Sequence, residues 1–360
     1  MIDLYRPYIP DLPLLNDVLH SKQIAAGEHT KKFEKSIGDY LSNDYRLVVN
    51  SYESGLRVAL ASLGIKAGDE VIAPPLACLT STQPLFTSGL NIVWGDIDPH
   101  TGTLDPDDVK NRITARTKAI VDYHFCGYPG FVEEINELAR TRGIFVIDDA
   151  IEAFGTEYGG LRIGSHSADA TVFSFNPVRI LTTIDGGCVT FKAREHYEKA
   201  VIIRDCGIDR SEYRDELGEI NPDCDITLPG FSATMSNVNA YIGVEQFREL
   251  DTRLKKQKRI AGVWNRILDG TSEYTPIRIN DGVPNYWVFG IRAREKVGCI
   301  KKFRELGFYA SGVHYNNNIY SIFNRTEALP GAREFVESFV ALPCGWWVNE
   351  EDIYRIKENI

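Results

Sequence analysis

Residues 117–149, TKAIVDYHFCGYPGFVEEINELARTRGIFVIDD, decide the fold. Thr117–Tyr123 is a short apolar run, Val132–Arg142 carries a helical pattern, and Gly143–Asp148 is apolar and β-branched again. Strand, helix and strand in that order make a βαβ unit, which lays its two strands parallel in one sheet. The alternation extends outward on both sides. Upstream are the strand candidates Arg46–Asn50, Glu70–Ala73 and Asn91–Gly95, with Leu56, Val58, Ala59, Leu60 and Leu63 in helical spacing after the first. Downstream are Thr171–Phe175 and Gly187–Phe191. The expectation is an α/β fold with a mainly parallel sheet over residues 1–240. From Ser236 to Leu268 the pattern is one long helix, with Val244, Phe247, Leu250 and Leu254 on a stripe and the basic run 255–259 outside it. A strand at Tyr286–Ile291 and helices near 297–306 and 331–340 predict a small α+β domain, so that residues 241–360 hold the linking helix and that domain.

Composition narrows the function classes. Forty Lys and Arg against fifty Asp and Glu give a net charge of −10. Nucleic acids and anionic membranes need clustered positive charge, so neither is an expected partner. No apolar run approaches the roughly 20 residues of a membrane span. The N-terminus, MIDLYRPYIPDLP, lacks the basic and apolar regions of a signal peptide. Seven scattered cysteines without a CxxC pair read as reduced thiols and not as a disulfide or zinc framework. The expectation is a cytoplasmic protein with no metal.

Two segments carry chemistry. Asp148 and Asp149 close an apolar strand, and carboxylates at the C-terminal ends of parallel strands face the ligand crevice. Taken alone, the pair reads more readily as a helix N-cap. Phe173–Gly187, FSFNPVRILTTIDGG, runs from a strand ending in Ser174 through an irregular turn to a glycine pair. Taken alone, it is a loop between two strands.

Together with other motifs these segments resemble the DegT/DnrJ/EryC1/StrS family of sugar aminotransferases. The resemblance is carried by Ile24–Gly27 with Phe33–Glu34, Val71–Thr82, Asp96–Pro106, Ala115–Val121, His124–Gly127, Val146–Gly160, Phe231–Gln246 and Leu342–Pro343. It implies a fold-type-I architecture with a seven-stranded, mainly parallel sheet. It also implies a homodimer with shared active sites, a nucleotide-sugar ligand, a role in surface-polysaccharide or deoxysugar synthesis, and pyridoxal phosphate or its amino form as cofactor. In such enzymes an aspartate pairs with the pyridinium nitrogen and keeps the ring an electron sink. Asp149 matches that position, Glu152 falls where the family usually has Gln, and Ser174 matches a phosphate-binding serine. His124 and His314 fall in substrate-side segments, as catalytic candidates or as satisfied internal histidines.

The chain departs from the family at the chemistry itself. The Schiff-base lysine aligns with Arg179, and a guanidinium can neither form an imine nor shuttle protons at neutral pH. The phosphate-cup motif aligns with Ser51, Tyr52 and Glu53, which puts a carboxylate beside a phosphate dianion. The ring-stacking aromatic aligns with Cys78. Two polar residues usually supplied by the partner subunit align with Ser232 and Thr234, within a segment, Leu228–Ser236, expected to lie against the partner's cleft. Two readings follow. In one the chain is a PLP- or PMP-dependent nucleotide-sugar aminotransferase or dehydratase that bypasses the lysine. In the other it is a non-transaminating homologue, a pseudoenzyme with respect to transamination, that keeps the fold and dimer, with the cofactor or with none bound, and uses the cleft to bind a sugar nucleotide or a partner enzyme or to run cofactor-free chemistry. The second reading carries a specific expectation: Glu53 and Arg179 pair inside the vacated cofactor pocket.

Overall fold

The central sheet has seven strands: β1 (Arg46–Val49), β2 (Glu70–Ala73), β3 (Asn91–Trp94), β4 (Thr117–Tyr123), β5 (Phe145–Ala150), β6 (Ala170–Ser174) and β7 (Gly187–Phe191). Their order is β1-β7-β6-β5-β4-β2-β3. All neighbours from β6 to β3 are parallel, and β7 runs antiparallel to both β1 and β6. The computed structural model describes residues 1–165, 168–323 and 329–360. Among them, no helix is long and apolar enough to cross a membrane.

Strand periodicity fixes what each face of the sheet carries. Asp122 opposes Asp148 and Tyr123 opposes Asp149 across β4 and β5. Successive residues of a strand point to opposite faces. Ala119, Val121, Tyr123 and Ile147 pack with Tyr52, Leu56, Ala59 and Leu60 of the helix Tyr52–Ser62. Ile120 and Val146 pack on the other face with Val109, Ile135 and Ala139 from the helices Pro106–Arg112 and Val132–Arg140. Asp149 therefore shares the face of Tyr123, and Asp148 that of Asp122.

A second sheet, β8 (Tyr274–Pro276), β9 (Phe289–Ala293) and β10 (Phe339–Leu342), is antiparallel throughout. It packs with the helices Leu250–Leu268 and Lys296–Glu305 around the fully buried Trp264. Three sequence expectations need correction here. The long helix is two, Asn237–Phe247 and Leu250–Leu268, parted at Arg248 and Glu249. The expected strand at 286–291 begins at Phe289, because Tyr286 takes the left-handed conformation with φ 56°. The last predicted helix stops at Ser338 and the chain turns directly into β10, whose FVAL run is apolar enough to be a buried strand. The first residues of the chain dock on this C-terminal unit. Ile2 N–H donates to Gly307 O at 2.7 Å, and the Trp347 indole N–H donates to Asp3 O at 2.7 Å.

Candidate active site

The C-terminal ends of β4, β5 and β6 open toward the second unit. Asp149, fully buried, accepts the Ile151 N–H on Oδ1 at 3.1 Å. Its Oδ2 has no hydrogen-bond partner, nor do the nearby hydroxyls of Tyr52 and Ser81. Burial pushes the Asp149 carboxyl up to about 6, against the lowering effect of Ser81, Tyr52 and the Ile151 N–H. Two hydroxyls, of Tyr52 and Ser81, thus converge on one buried carboxylate.

Glu152, two residues past the end of β5, organises a second cluster. Its Oε2 accepts from the Tyr123 hydroxyl at 2.7 Å and from the Cys126 N–H at 3.0 Å. Its Oε1 accepts from His314 Nε2 at 2.9 Å, and the Arg179 guanidinium lies 3.7 Å from the same oxygen. Burial alone would push Glu152 up, but His314, Arg179 and the Tyr123 hydroxyl outweigh it and hold the carboxyl below its ordinary value. An ionised carboxylate only accepts, so His314 presents an Nε2–H to it, and Nδ1 lies outside that bond. The Arg179 guanidinium also lies over the Trp287 indole, 4.7 Å from the ring centroid. The indole N–H donates to Val178 O at 2.6 Å, which fixes the ring beside the Arg179 turn. On Trp287, in turn, stacks Tyr5 at 4.5 Å between centroids.

His124 lies elsewhere. It is fully buried with Asp122 and Asp148 on the far face of the sheet, not in the cleft with His314. Its Nδ1 accepts from the Gly130 N–H at 3.1 Å, and its Nε2 is 3.6 Å from Asp148 Oδ1. One ligand atom from each of the three residues falls within 4.8 Å of the others. The tautomer argues against a metal there: the Gly130 N–H makes Nδ1 the acceptor, so the proton sits on the nitrogen a metal would need. Burial pushes Asp122 up to about 7, with His124 opposing that shift and Asp148 adding to it. Burial lowers His124, but Asp148 and Asp122 together raise it above its usual value.

The remaining candidates are distributed as follows. Ser51 caps the Tyr52–Ser62 helix, accepting the Ser54 N–H at 3.1 Å. Ser174 is buried at the end of β6 and accepts the Asn176 N–H at 3.3 Å. Gly187 opposes Ser174 in the sheet, and a side chain on it would meet Phe173 O at 2.7 Å and Ser51 O at 3.1 Å, so Ser51 and Ser174 flank one crowded backbone crossing. Cys78 is the N-cap of the helix Leu79–Thr87, and burial pushes its thiol up. Ser232 is exposed and its carbonyl accepts from Asn50 Nδ2 at 3.0 Å.

The expected pair of Glu53 and Arg179 does not form. Glu53 bonds Arg57, one helical turn along, through Nη2 at 2.9 Å and Nε at 3.2 Å. Arg57 also reaches Thr87, which draws both side chains to the outer surface of the helix. A half-exposed Glu with a cation at i+4 has no reason to enter a dry pocket. Arg179 finds its counter-charge in Glu152.

Sequence reasoning missed Tyr5, Tyr123 and Trp287. No local pattern marks them, since each reaches the cluster through contacts distant in sequence. Tyr5→Ala is expected to lower stability by about 1–2 kcal/mol through loss of the stacked pair and its buried area. Urea unfolding of the variant checks this, and an unchanged midpoint would show that the N-terminal strap does not hold the cleft.

The scaffold has well-matched counterparts. Crystal structures of the sugar aminotransferase CalS13 from Micromonospora echinospora and of AtS13 from Actinomadura melliaura superpose with TM-scores of 0.93 and 0.92, at 26% and 29% identity. They cover 99% and 100% of this chain, and 98% of their own chains in each case. Among curated relatives, an uncharacterized protein of Methanocaldococcus jannaschii is 32% identical over 271 residues, 75% of this chain and 70% of that protein. GDP-perosamine synthase of Escherichia coli O157:H7 is 29% identical over 81% of this chain and 78% of its own length. The spore coat polysaccharide biosynthesis protein SpsC of Bacillus subtilis is 27% identical over 96% of this chain and 92% of its own length. A family model matches residues 11–360, and with these relatives it places the chain in the DegT/DnrJ/EryC1/StrS aminotransferase family.

Proposed function

We propose that this chain is a non-transaminating member of its family, which keeps the sugar-aminotransferase scaffold and uses the cleft to bind a nucleotide sugar in polysaccharide or deoxysugar synthesis. The observation that carries the reading is Arg179. It stands at the position to which the resemblance assigns the Schiff-base lysine, and it is 8% exposed, held by Glu152 and Trp287. Among the described residues no lysine is buried, so no buried amine stands in the cleft for an imine with pyridoxal phosphate. Tyr52, fully buried beside Asp149, also takes space next to the carboxylate that would pair with the cofactor ring. The residues present therefore do not fit a covalently held cofactor. The relatives supply the substrate class: sugar aminotransferases and a GDP-perosamine synthase act on sugars, here inferred to be nucleotide-linked. A homodimer, with the segment 228–236 against the partner, and a cytoplasmic location belong to the same reading.

One observation favours the alternative of a PLP- or PMP-dependent aminotransferase or dehydratase. The Asp149 Oδ2 is buried without a partner, as an acceptor awaiting a pyridinium N–H would be. The two readings separate by spectroscopy and calorimetry. Under the proposed reading the purified chain stays colourless on addition of pyridoxal phosphate, and borohydride fixes no label at Arg179 or any cleft residue. GDP-, UDP- or dTDP-sugars give saturable heats of binding. A persistent aldimine band, or absence of binding by all three nucleotide-sugar classes, would overturn it.

Arg179→Lys is expected to leave glutamate-dependent transamination undetectable. An ammonium placed beside the ionised Glu152 is stabilised in its charged form, and a protonated amine is no nucleophile. Stopped-flow assay with glutamate and a keto acid checks this, and turnover by the single variant would refute it.

A further inference from the structure

Resting on the reading that the cleft binds a nucleotide sugar, we infer that His314, Glu152 and Arg179 form a cofactor-independent acid–base centre that enolises a keto sugar. A sugar aminotransferase installs an amine at a carbonyl carbon, so the sugar that fits this scaffold carries a ketone. The C–H bonds beside a ketone are the acidic ones. Abstracting such a proton needs a base at the carbon and a positive group at the oxygen. Both stand here beside one carboxylate oxygen, Glu152 Oε1, at 2.9 Å and 3.7 Å.

His314 is the base. Its Nε2–H is committed to Glu152 Oε1 at 2.9 Å, which fixes the ring and leaves Nδ1 as the basic nitrogen. The side chain is 15% exposed, so a ligand in the cleft can reach it. Arg179 is the oxyanion partner. Its Nε and Nη1 make no hydrogen bond although the side chain is more than nine-tenths buried. Buried donors of a cation without an acceptor mark a place where an oxygen is expected. Glu152 is a positioning residue. Four groups saturate it, so it orients His314 and neutralises Arg179 without touching the reacting atoms.

The backbone supports the assignment independently. Six non-glycine residues have positive φ among the described residues, and three of them flank this cluster. Cys126 (φ 54°) presents its N–H to Glu152, Tyr286 (φ 56°) precedes Trp287, and Val313 (φ 59°) precedes His314. A β-branched residue such as Val313 pays dearly for that conformation, and such strain concentrates where side chains must be aimed.

The step balances without a co-reactant. His314 Nδ1 takes the proton from the carbon beside the carbonyl. The C–H electron pair becomes the C=C bond as the carbonyl π pair moves to oxygen, and the enolate oxygen meets the guanidinium. Reversal returns a proton to the same carbon, and no atom is oxidised or reduced.

The test uses the full chain in D2O with a GDP-linked 4-keto-6-deoxyhexose, and separately with its dTDP-linked counterpart. NMR follows loss of the C–H signals flanking the carbonyl, and calorimetry follows binding in the same preparation. The expected result is exchange about 100-fold or more above buffer with at least one of them. His314→Gln should lower it about 100-fold, and Arg179→Gln by a similar factor as an independent variant from the other side of the cluster. Exchange is read at saturating ligand in both variants, so a change in their affinity does not enter the rate compared. A merely structural clasp would move binding or folding and not the exchange rate of bound ligand. Binding without exchange, or His314→Gln exchanging at the wild-type rate, overturns the inference and leaves the proposed function standing. Absence of binding by both nucleotide sugars overturns the inference, and the proposed function falls with it when UDP-sugars fail to bind as well.

Discussion

Glu152→Ala is expected to destabilise the chain by about 3–5 kcal/mol, the cost of leaving a buried charge without its partner. The residue is buried and meets four groups from four parts of the chain: Tyr123 on β4, the Cys126 N–H after it, Arg179 in the turn between β6 and β7, and His314 from the second unit. Removing the carboxylate strands a guanidinium that already lacks hydrogen bonds on Nε and Nη1. It also orphans a tyrosine hydroxyl and a backbone N–H inside the protein, each of which adds about 1–3 kcal/mol when left unpaired. Only the cation–π contact with Trp287 remains to Arg179, and that is worth about 2 kcal/mol at most sites of this kind. Glu152→Gln separates the contributions. The amide oxygen still accepts from Tyr123 and Cys126, so this variant should lose about half as much, the part due to charge. Urea unfolding followed by tryptophan fluorescence measures both. Equal midpoints for wild type and Glu152→Ala would mean that the cluster does not hold the cleft together.

The core of the sheet was legible because each strand is a short β-branched run. β2, β3, β4 and β7 fall within a residue of where the apolar pattern places them. Period two also reaches past the last residue of the strand. Asp122 and His124 are two apart at the end of β4 and so share a face, and the parallel register brings Asp148 to the same place. The buried triad is therefore encoded in strand period and register, which place His124 on the face away from the cleft. The Glu53 pairing was equally available, since Arg57 stands at i+4 on a predicted helix. Two lone charges of opposite sign suggested a pair, but the nearer partner on each side wins. What could not be read is the clustering of Tyr5, Trp287 and His314 around Arg179. Those contacts join segments some hundred residues apart or more, and no local propensity encodes them. Function divides the same way. The strand-end carboxylates and the Arg179 turn are local motifs, whereas the dyad of His314 and Glu152 exists only once the second unit closes on the first.

Asp122→Asn should make the chain more stable at alkaline pH and leave it nearly unchanged at acid pH. Asp122 is fully buried, and neither of its oxygens has a hydrogen-bond partner. Burial pushes its carboxyl up to about 7, with Asp148, Asp149 and Glu134 adding to the shift and His124 opposing it. A carboxyl raised from an ordinary 3.8 to about 7 holds its proton more tightly in the folded chain than in the unfolded one. Below pH 4 both states are protonated and there is no penalty. As the pH rises from 4 to 7 the unfolded chain ionises first, so stability falls, and above 7 the deficit is constant. His124 acts in the same direction: Asp148 and Asp122 raise it, so its contribution is present below its unfolded value and is lost as pH rises through the folded one. Asparagine never ionises and removes the Asp122 deficit. The gain should be about 2–4 kcal/mol at pH 8 and close to zero at pH 4, since a shift of one pH unit corresponds to 1.36 kcal/mol and the coupled histidine absorbs part of it. Urea unfolding of both chains at pH 4, 6 and 8 gives the slope directly. A constant difference across that range would show that Asp122 keeps its charge in the folded chain, with the proton residing on His124 instead.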